Sequence, residues 1–385
     1  MTGPADQPFL PTLERPREAQ TGVWPAQRIA AAIESGQIMA DDPVTDAQVQ
    51  PASLDLRLGD TAYRLPASFL PGPRATVAEK VRFLAEETID LTRGAMLRRG
   101  EVYVVKLQEE LSLRRRQSGF ANPKSSTGRL DVFARLITDQ GTEFDTVRDG
   151  YKGPLWLEIA PRSFNVIVRR GSRLSQVRLR QGTPLMSEKD IRRLHEAARL
   201  VHDEDALEPD IKQRAVGLSV DVEGDPATGL VGYRARRVDE PVDFDRVGHY
   251  DVDAFWDRIH RPERGGIVLH VDEFHILATK ERVAVPVDHA ADMAPYDTRV
   301  GEFRVHYAGF FDPGFGFGAE GSEGTTIVLE IRSHEVPFMM EHGQMVGRVL
   351  YERLTEPTDR PYGTGIGSSY YRQALTLAKQ FKREG

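Results

Sequence analysis

The chain of 385 residues contains no cysteine. This absence excludes disulfides, zinc sites built from thiolates and a cysteine nucleophile. The ten histidines show neither HxxxH nor HExxH spacing, so we expect no protein-bound metal site. The sequence also lacks an apolar run of the ~20 residues that a membrane span needs. Its first residues have no apolar segment typical of a signal peptide, and we therefore expect a cytoplasmic protein with no membrane partner.

Positive charge is also in deficit, because the formal net charge is −7. That balance argues against nucleic acid as a partner, since such binding depends on clustered Lys and Arg. Local clusters such as Arg98-Arg99, Arg114-Arg115-Arg116 and Arg169-Arg170 still leave a small anionic ligand possible. For any single cluster, a solvated strand end or helix face is the ordinary interpretation.

Apolar and polar residues alternate over most of the chain, with Gly and Pro between the runs, which predicts many short strands. The length suffices for two domains. Residues 1 to about 24 are rich in proline and charge and predict a flexible arm. The predicted elements are a helix over 25–38, strands within 52–65, 101–113 and 154–180, a helix over 190–204 and a weaker helix over 368–385.

The two halves of the sequence resemble each other. Glu101 and Glu273 are 172 residues apart, as are Glu109 and Glu281. The same offset relates Pro123 to Pro295, Glu158 to Glu330 and Gly171 to Gly343. Upstream, SLDLRLGD (53–60) resembles SVDVEGD (219–225) at a shorter offset. Chance similarity between β-rich segments does not explain five identities at one offset. We therefore predict a mainly β protein of two tandem β-sandwich or jelly-roll modules, 25–205 and 206–385, with a few short helices.

The segment ANPKSSTGRLDVF (121–133), here called the hydroxyl loop, places a Lys, hydroxyl groups and an Arg close together. Hydroxyls and amides donate hydrogen bonds to phosphoryl oxygens, while Lys and Arg supply positive charge. This composition indicates a phosphate site. An ordinary Asn-Pro turn with solvated side chains is the equally weighted alternative.

Glu158 lies in the apolar stretch GPLWLEI. A buried carboxylate must be paired or have a raised pKa, and a raised pKa produces a usable general base or acid. Strand alternation also allows a solvent-facing Glu158. The presence of Glu330 at the matching position of the second half weakens that alternative.

In the second half, HYAGFFDPGFGFG (306–318) contains the turn sequence Asp312-Pro313-Gly314. A plain turn is the default interpretation. The functional alternative is that Asp312 binds a sugar hydroxyl and that Phe315 packs on a flat or apolar ligand face. The Gly-rich stretch RPYGTGIGSSY (360–370) is a disordered tail or a loop that folds over a ligand.

Together, NPKSSTGR, GYKGPLWLEI, RRGSRLSQVRL and QPASLDLRLGD resemble the dCTP deaminases of the dUTPase-like superfamily, in their two-copy bacterial form. The resemblance implies β modules that assemble into homo-oligomers, with nucleotide sites between modules. It implies metal-free hydrolytic deamination of dCTP to dUTP and ammonia, feeding dUTP synthesis, with Mg²⁺ accompanying the triphosphate. The zinc-dependent nucleobase deaminases use a Cys-x-x-Cys pair that this chain cannot provide.

The resemblance also implies roles for individual residues. Ser125, Ser126 and Arg129 match the family's Ser-Ser-x-x-Arg pattern, and Lys124 takes the place of a phosphate-binding Arg. Glu158 matches the glutamate that activates water for attack on C4 of cytosine. The further positions expected to contact the substrate are Gln176, Ala308, Asp312, Phe315 and Tyr362.

Two arrangements of the site remain open. Either the first copy builds a complete site around Glu158, or Ser125 and Arg129 face Asp312 and Glu330 of the second copy. We favour Glu158 because it shares a copy with the hydroxyl loop. Three alternative functions remain. The chain could be a dUTPase, a bifunctional dCTP deaminase and dUTPase, or a non-catalytic nucleotide-binding protein.

Overall fold

The computed structural model describes residues 21–203, 205, 208–294, 303–306, 309–318, 321–363 and 375–383. Short antiparallel strands dominate both halves, as predicted. The first half contains the helices α1 (Ala26–Glu34), α2 (Val77–Leu84) and α3 (Ser125–Gly128), a 3-10 turn (Asp46–Gln48), and the strands β1 (Gly22–Val23), β2 (Ile38–Ala40), β3 (Leu54–Leu56), β4 (Leu58–Leu65), β5 (Glu87–Asp90), β6 (Ala95–Leu97), β7 (Val102–Ser112), β8 (Gln117–Pro123), β9 (Val132–Thr138), β10 (Thr146–Val147), β11 (Lys152–Pro161), β12 (Val166–Val168) and β13 (Ser175–Gln181).

The second half repeats this strand-rich pattern. It contains the helices α4 (Glu188–Ala198) and α5 (Val252–Phe255), and the strands β14 (Val201–His202), β15 (Ile211–Lys212), β16 (Ala215–Asp221), β17 (Leu230–Ala235), β18 (Val242–Asp243), β19 (Trp256–His260), β20 (Ile267–Leu269), β21 (Phe274–Val283), β22 (His289–Met293), β23 (Phe303–His306), β24 (Phe310–Phe311), β25 (Phe317–Gly318), β26 (Gly321–Ser322), β27 (Thr325–Ser333), β28 (Phe338–Met340) and β29 (Met345–Arg353).

The duplication is visible in the pairing register. In the first half β11 pairs with β7, and Glu158 lies opposite Val104. In the second half β27 pairs with β21, and Glu330 lies opposite Ile276, so that both partners have moved by the same 172 positions. The ladder of β13 with β8 recurs in the same way as that of β29 with β22. These matched registers confirm two tandem β modules.

Upstream of these ladders, the correspondence drawn from sequence is wrong. Leu56 pairs with Ser175, and Leu218 pairs with Gly347, so Leu218 is the structural counterpart of Leu56. The segment that matches 54–57 is therefore 216–219, and SVDVEGD starts too late. As a result, Gly217 stands where the first copy has Asp55.

Several element boundaries differ from the predictions. The strand within 52–65 divides at Arg57, whose backbone N–H donates to the buried Glu109 carboxylate at 2.7 Å instead of to a neighbouring strand. Helix α4 ends at Ala198 because Arg199 adopts a left-handed conformation with φ 41°, and β14 follows. The predicted arm ends too late, since Val23 and Trp24 are buried.

The C-terminal helix prediction fails over its described part, residues 375–383, which contain no helix; residues 368–374 lie outside the described residues. Instead, Phe381 forms an isolated bridge with Tyr250 and packs on Phe255 and Trp256. This segment joins a hydrophobic core made largely of first-copy residues. In the described part of the chain, no helix combines the length and apolar character of a membrane span.

Candidate active site

A cavity of about 810 Å³ lies between the two copies, a size typical of small-molecule sites. Its walls come from the hydroxyl loop of the first copy, from β24, the loop after β24 and β27 of the second copy, and from the C-terminal segment. Of the predicted site residues it brings together Lys124, Ser125, Ser126, Arg129, Gln176, Asp312, Phe315, Glu330 and Tyr362. Ala308 lies outside the described residues.

Three basic side chains, here called the cationic end, line the cavity together with the carboxylates of Asp55 and Asp245. Lys124 Nζ lies 2.5 Å from both oxygens of the buried Asp55 carboxylate, and Arg173 Nη1 lies 3.4 Å from Asp55 Oδ2. Lys379 of the C-terminal segment also lines the cavity. Burial and the neighbouring cations, Lys124 first, lower the pKa of its ammonium group. This cationic end suits a ligand with several negative charges.

Main-chain and side-chain hydrogen bonds to the carbonyl of Leu174 hold the hydroxyl loop in place. Lys124 N donates to Leu174 O at 2.9 Å, and Thr127 Oγ1 donates to the same carbonyl at 2.7 Å. Ser125 is exposed at the cavity, whereas Ser126 is buried in its wall. On the next strand, Gln176 Oε1 accepts a hydrogen bond from Ser53 Oγ at 3.0 Å.

Glu330 of the second copy contacts Arg129 of the first. Arg129 Nε lies 3.7 Å from Glu330 Oε1, and Arg129 Nη1 donates to Thr376 Oγ1 at 2.8 Å. Burial raises the pKa of Glu330 to about 8, against the opposing effect of the Arg129 charge. A carboxyl group with such a pKa can exchange a proton near neutral pH.

Asp312 and two aromatic rings form another part of the cavity wall. Arg178 Nη2 donates to Asp312 Oδ1 at 3.3 Å, while burial raises the pKa of Asp312. The ring centroids of Phe315 and Tyr362 are 5.8 Å apart, and Tyr362 N donates to Pro313 O at 2.8 Å. The turn prediction for Asp312-Pro313-Gly314 is confirmed: Phe315 N donates to Asp312 O, and Gly314 adopts φ 92°.

Glu158 does not line this cavity, which corrects the preference for a complete site within the first copy. Its side chain is fully buried and forms a charged hydrogen bond with Arg135 across the sheet. Strand alternation places Trp156 on the same face. That face is covered by a hydrophobic cluster that includes Trp156 and the α2 residues Val77 and Val81. The counterpart of Trp156 in the second copy is Val328, which lines the open cavity.

The position that corresponds to Asp55 also differs in the second copy, where Gly217 of β16 occupies it. A side chain added at Gly217 would meet Asp210 Oδ2 at 2.6 Å, so an aspartate occupies the space that Asp55 has in the first copy. The counterparts of Ser125 and Arg129, Asp297 and Gly301, lie outside the described residues. Lys124 and Arg173 of the cationic end therefore come from the first copy, and Lys379 comes from the C-terminal segment.

Sequence reasoning missed Asp55, Arg173 and Lys379. Asp55 could have been found by the argument used for Glu158, because it is a carboxylate between two apolar strand residues. Arg173 lies in RRGSRLSQVRL, where only Gln176 was singled out. Lys379 had no such signal, since its segment was predicted as a helix. Within the described residues, no group of three or more His, Asp or Glu side chains is placed to hold a metal ion.

The family model for the 2'-deoxycytidine 5'-triphosphate deaminase (DCD) N-terminal domain matches residues 20–183, and that for the C-terminal domain matches residues 187–381. The crystal structure of 2'-deoxycytidine 5'-triphosphate deaminase from Agrobacterium tumefaciens is 48% identical, with a TM-score of 0.83 over 88% of this chain and 100% of that one.

Curated relatives have the same family name. A protein of Methanosphaera stadtmanae is 29% identical over 190 residues, which cover 49% of this chain and 88% of the relative. One of Halobacterium salinarum is 34% identical over 110 residues, 28% of this chain and 52% of the relative. Both are named "dCTP deaminase, dUMP-forming".

These matches define the chain as an enzyme of the deaminase class, a hydrolase with a dUTPase-like β fold. It belongs to the 2'-deoxycytidine 5'-triphosphate deaminase family. The family, fold and enzyme predictions are thereby confirmed. The predicted product is not: the relatives are named dUMP-forming, so dUTP as the end product and a role in dUTP synthesis are wrong. The names favour neither a plain dUTPase nor a non-catalytic nucleotide-binding protein.

Proposed function

We propose that this enzyme converts dCTP to dUMP in the cavity between its two copies. The observation that supports this most directly is the union of Ser125, Ser126 and Arg129 from one copy with Glu330 from the other. The cavity is lined by the cationic end, as a triphosphate requires, and by the aromatic rings of Phe315 and Tyr362, as a sugar and base require. The expected Mg²⁺ would enter as part of the nucleotide substrate, and assembly of several chains stays a prediction.

We place the catalytic base at Glu330, with Glu158 as a structural carboxylate. Glu330 accepts a proton from water as the water oxygen bonds to C4 of cytosine. The C4–N bond then breaks, and the amino group leaves as ammonia with the proton that Glu330 held. Arg129 lies beside the carboxylate and Ser125 lines the same cavity, and both would orient the water. Formation of dUMP needs a second water, which attacks the α-phosphorus and releases pyrophosphate towards Lys124, Arg173 and Lys379.

The product balance tests this proposal. One dCTP and two waters should give one dUMP, one ammonia and one pyrophosphate. We expect equal amounts of the three products when dCTP and Mg²⁺ are incubated with the enzyme and analysed by chromatography with ammonia and pyrophosphate assays. Accumulation of dUTP would contradict dUMP as the product, and unchanged dCTP would contradict the deaminase activity itself.

The raised pKa of Glu330 predicts the pH dependence of turnover. A base acts in its ionised form, and burial raises the pKa of this carboxyl group to about 8, with Arg129 the charged group that opposes the shift. We therefore expect kcat to rise about tenfold per pH unit below that value and to level off above it. Initial rates between pH 5.5 and 9 at saturating dCTP measure this, and a flat profile over that range would contradict it.

A further inference from the structure

Beside the contact between Arg129 and Glu330 lies a second ion pair with the charges exchanged. Asp131 follows Arg129 by two residues in the hydroxyl loop, and Arg332 follows Glu330 by two residues on β27. Arg332 Nη2 donates to Asp131 Oδ2, and side-chain exposure is 5% for Arg332 and 1% for Asp131. Two adjacent pairs of opposite polarity therefore join the copies.

Further hydrogen bonds anchor the second pair on both sides. Ser163 Oγ donates to Asp131 Oδ2 at 2.6 Å, and Arg162 N donates to Asp131 O at 2.8 Å. Arg332 Nη1 donates to the carbonyl of Asp272 in the turn before β21. Asp131 has φ 55°, a left-handed conformation that costs a non-glycine residue free energy unless its surroundings hold it. The pair thus connects the hydroxyl loop to the frameworks of both copies.

The charges alternate along both the hydroxyl loop and β27, and this pattern disfavours a shifted alignment of the loop along the strand. If the loop slipped by two residues along β27, Arg129 would face Arg332, or Asp131 would face Glu330. Like charges in a buried interface are strongly unfavourable. The first copy has Ala160 at the position that corresponds to Arg332. The ion pair at the open cavity therefore has no equivalent at the filled face beside Glu158.

We infer that Asp131 and Arg332 are positioning residues, which fix the hydroxyl loop in register with Glu330 so that Arg129 and Ser125 meet the base. Neither side chain is among those that line the cavity, so the pair acts through Arg129 and Glu330 and not on the substrate. This inference rests on the proposed function, because it assumes that Glu330 is the base.

A neutral double variant tests the inference. Asp131→Asn with Arg332→Gln leaves no unpaired buried charge, so the protein should fold, while the charge pattern that sets the register is lost. We expect kcat for dCTP to fall about 100-fold, the effect of a misplacement of about 1 Å, with KM changed less than about threefold because the cationic end is untouched. Arg332→Lys should retain more activity than Arg332→Met.

The matched control is Arg135→Gln with Glu158→Gln, which neutralises the pair at the filled face of the first copy. Its kcat should stay within about twofold of the wild type. Circular dichroism and thermal unfolding confirm folding of each variant. Wild-type kcat in a folded Asp131→Asn, Arg332→Gln variant would overturn the inference. Absence of dCTP turnover in the wild type would instead overturn the proposed function.

Discussion

Glu330→Gln is expected to reduce dCTP turnover by about 10²–10⁴-fold, the usual contribution of a general base. Glutamine keeps the size and hydrogen-bonding capacity of the side chain but cannot accept a proton from water. The cationic residues Lys124 and Arg173 are unchanged, so dCTP affinity should persist. Steady-state kinetics measure the loss of turnover, and titration calorimetry measures the retained binding.

Glu158→Gln is the matched comparison, because Glu158 occupies the same position in the same ladder of the other copy. Its carboxylate contacts Arg135, whose side chain is 35% exposed and can be solvated when the partner charge is lost. We expect turnover within about threefold of the wild type. Loss of turnover in Glu158→Gln with full activity in Glu330→Gln would reverse the assignment and restore a site within the first copy.

The contrast between these glutamates shows what the sequence could and could not reveal. Strand pattern and spacing predicted the strand of Glu158 and the repeat that relates it to Glu330. The sequence did not show which glutamate faces the hydroxyl loop, because that depends on how the copies pack. Proximity along the chain favoured Glu158. The packing instead places β27 of the second copy against the loop and fills the Glu158 face with α2.

The other omissions have a similar cause. Asp55 lies in a segment recognised as part of the repeat, yet its function depends on Lys124, which is distant in sequence and close in space. Lys379 reaches the cavity because Gln380 and Phe381 anchor the C-terminal segment. Gln380 Nε2 donates to Phe244 O at 2.6 Å, and Phe381 packs among aromatic rings. Local periodicity contains no information about such tertiary contacts.

Arg178→Met is expected to produce the largest loss of stability. The Arg178 side chain is completely buried, and Nη1 donates to Ala291 O and to Asp292 Oδ1, each at 3.0 Å. Nη2 donates to Asp312 Oδ1 at 3.3 Å, and the guanidinium carbon lies 4.1 Å from the centre of the Phe310 ring. Removing one partner of a buried ion pair usually costs about 3–5 kcal/mol, because the remaining charge is left uncompensated. Chemical denaturation measures the change in the free energy of unfolding.

The loss should depend on pH. Burial raises the pKa of Asp292 and of Asp312, and Arg178 opposes both shifts, so both pKa values should rise further in the variant. The unfolded chain loses these protons near pH 4, whereas the folded variant keeps them to higher pH. Stability of the variant should therefore decrease as pH rises above about 4, and its difference from the wild type should be larger at pH 8 than at pH 5.

Two further variants separate this account from a general loss of packing. Arg170→Met removes an arginine whose partner, Asp42, is also exposed, and it should leave the free energy of unfolding close to that of the wild type. Adding Asp292→Asn to Arg178→Met removes one of the uncompensated carboxylates and should recover part of the stability. A loss independent of pH and unchanged by Asp292→Asn would show that Arg178 acts through its volume alone. The corresponding residue of the second copy is the uncharged Leu350, so the charge that Arg178 presents to Asp312 has no equivalent at the matching position of the second copy.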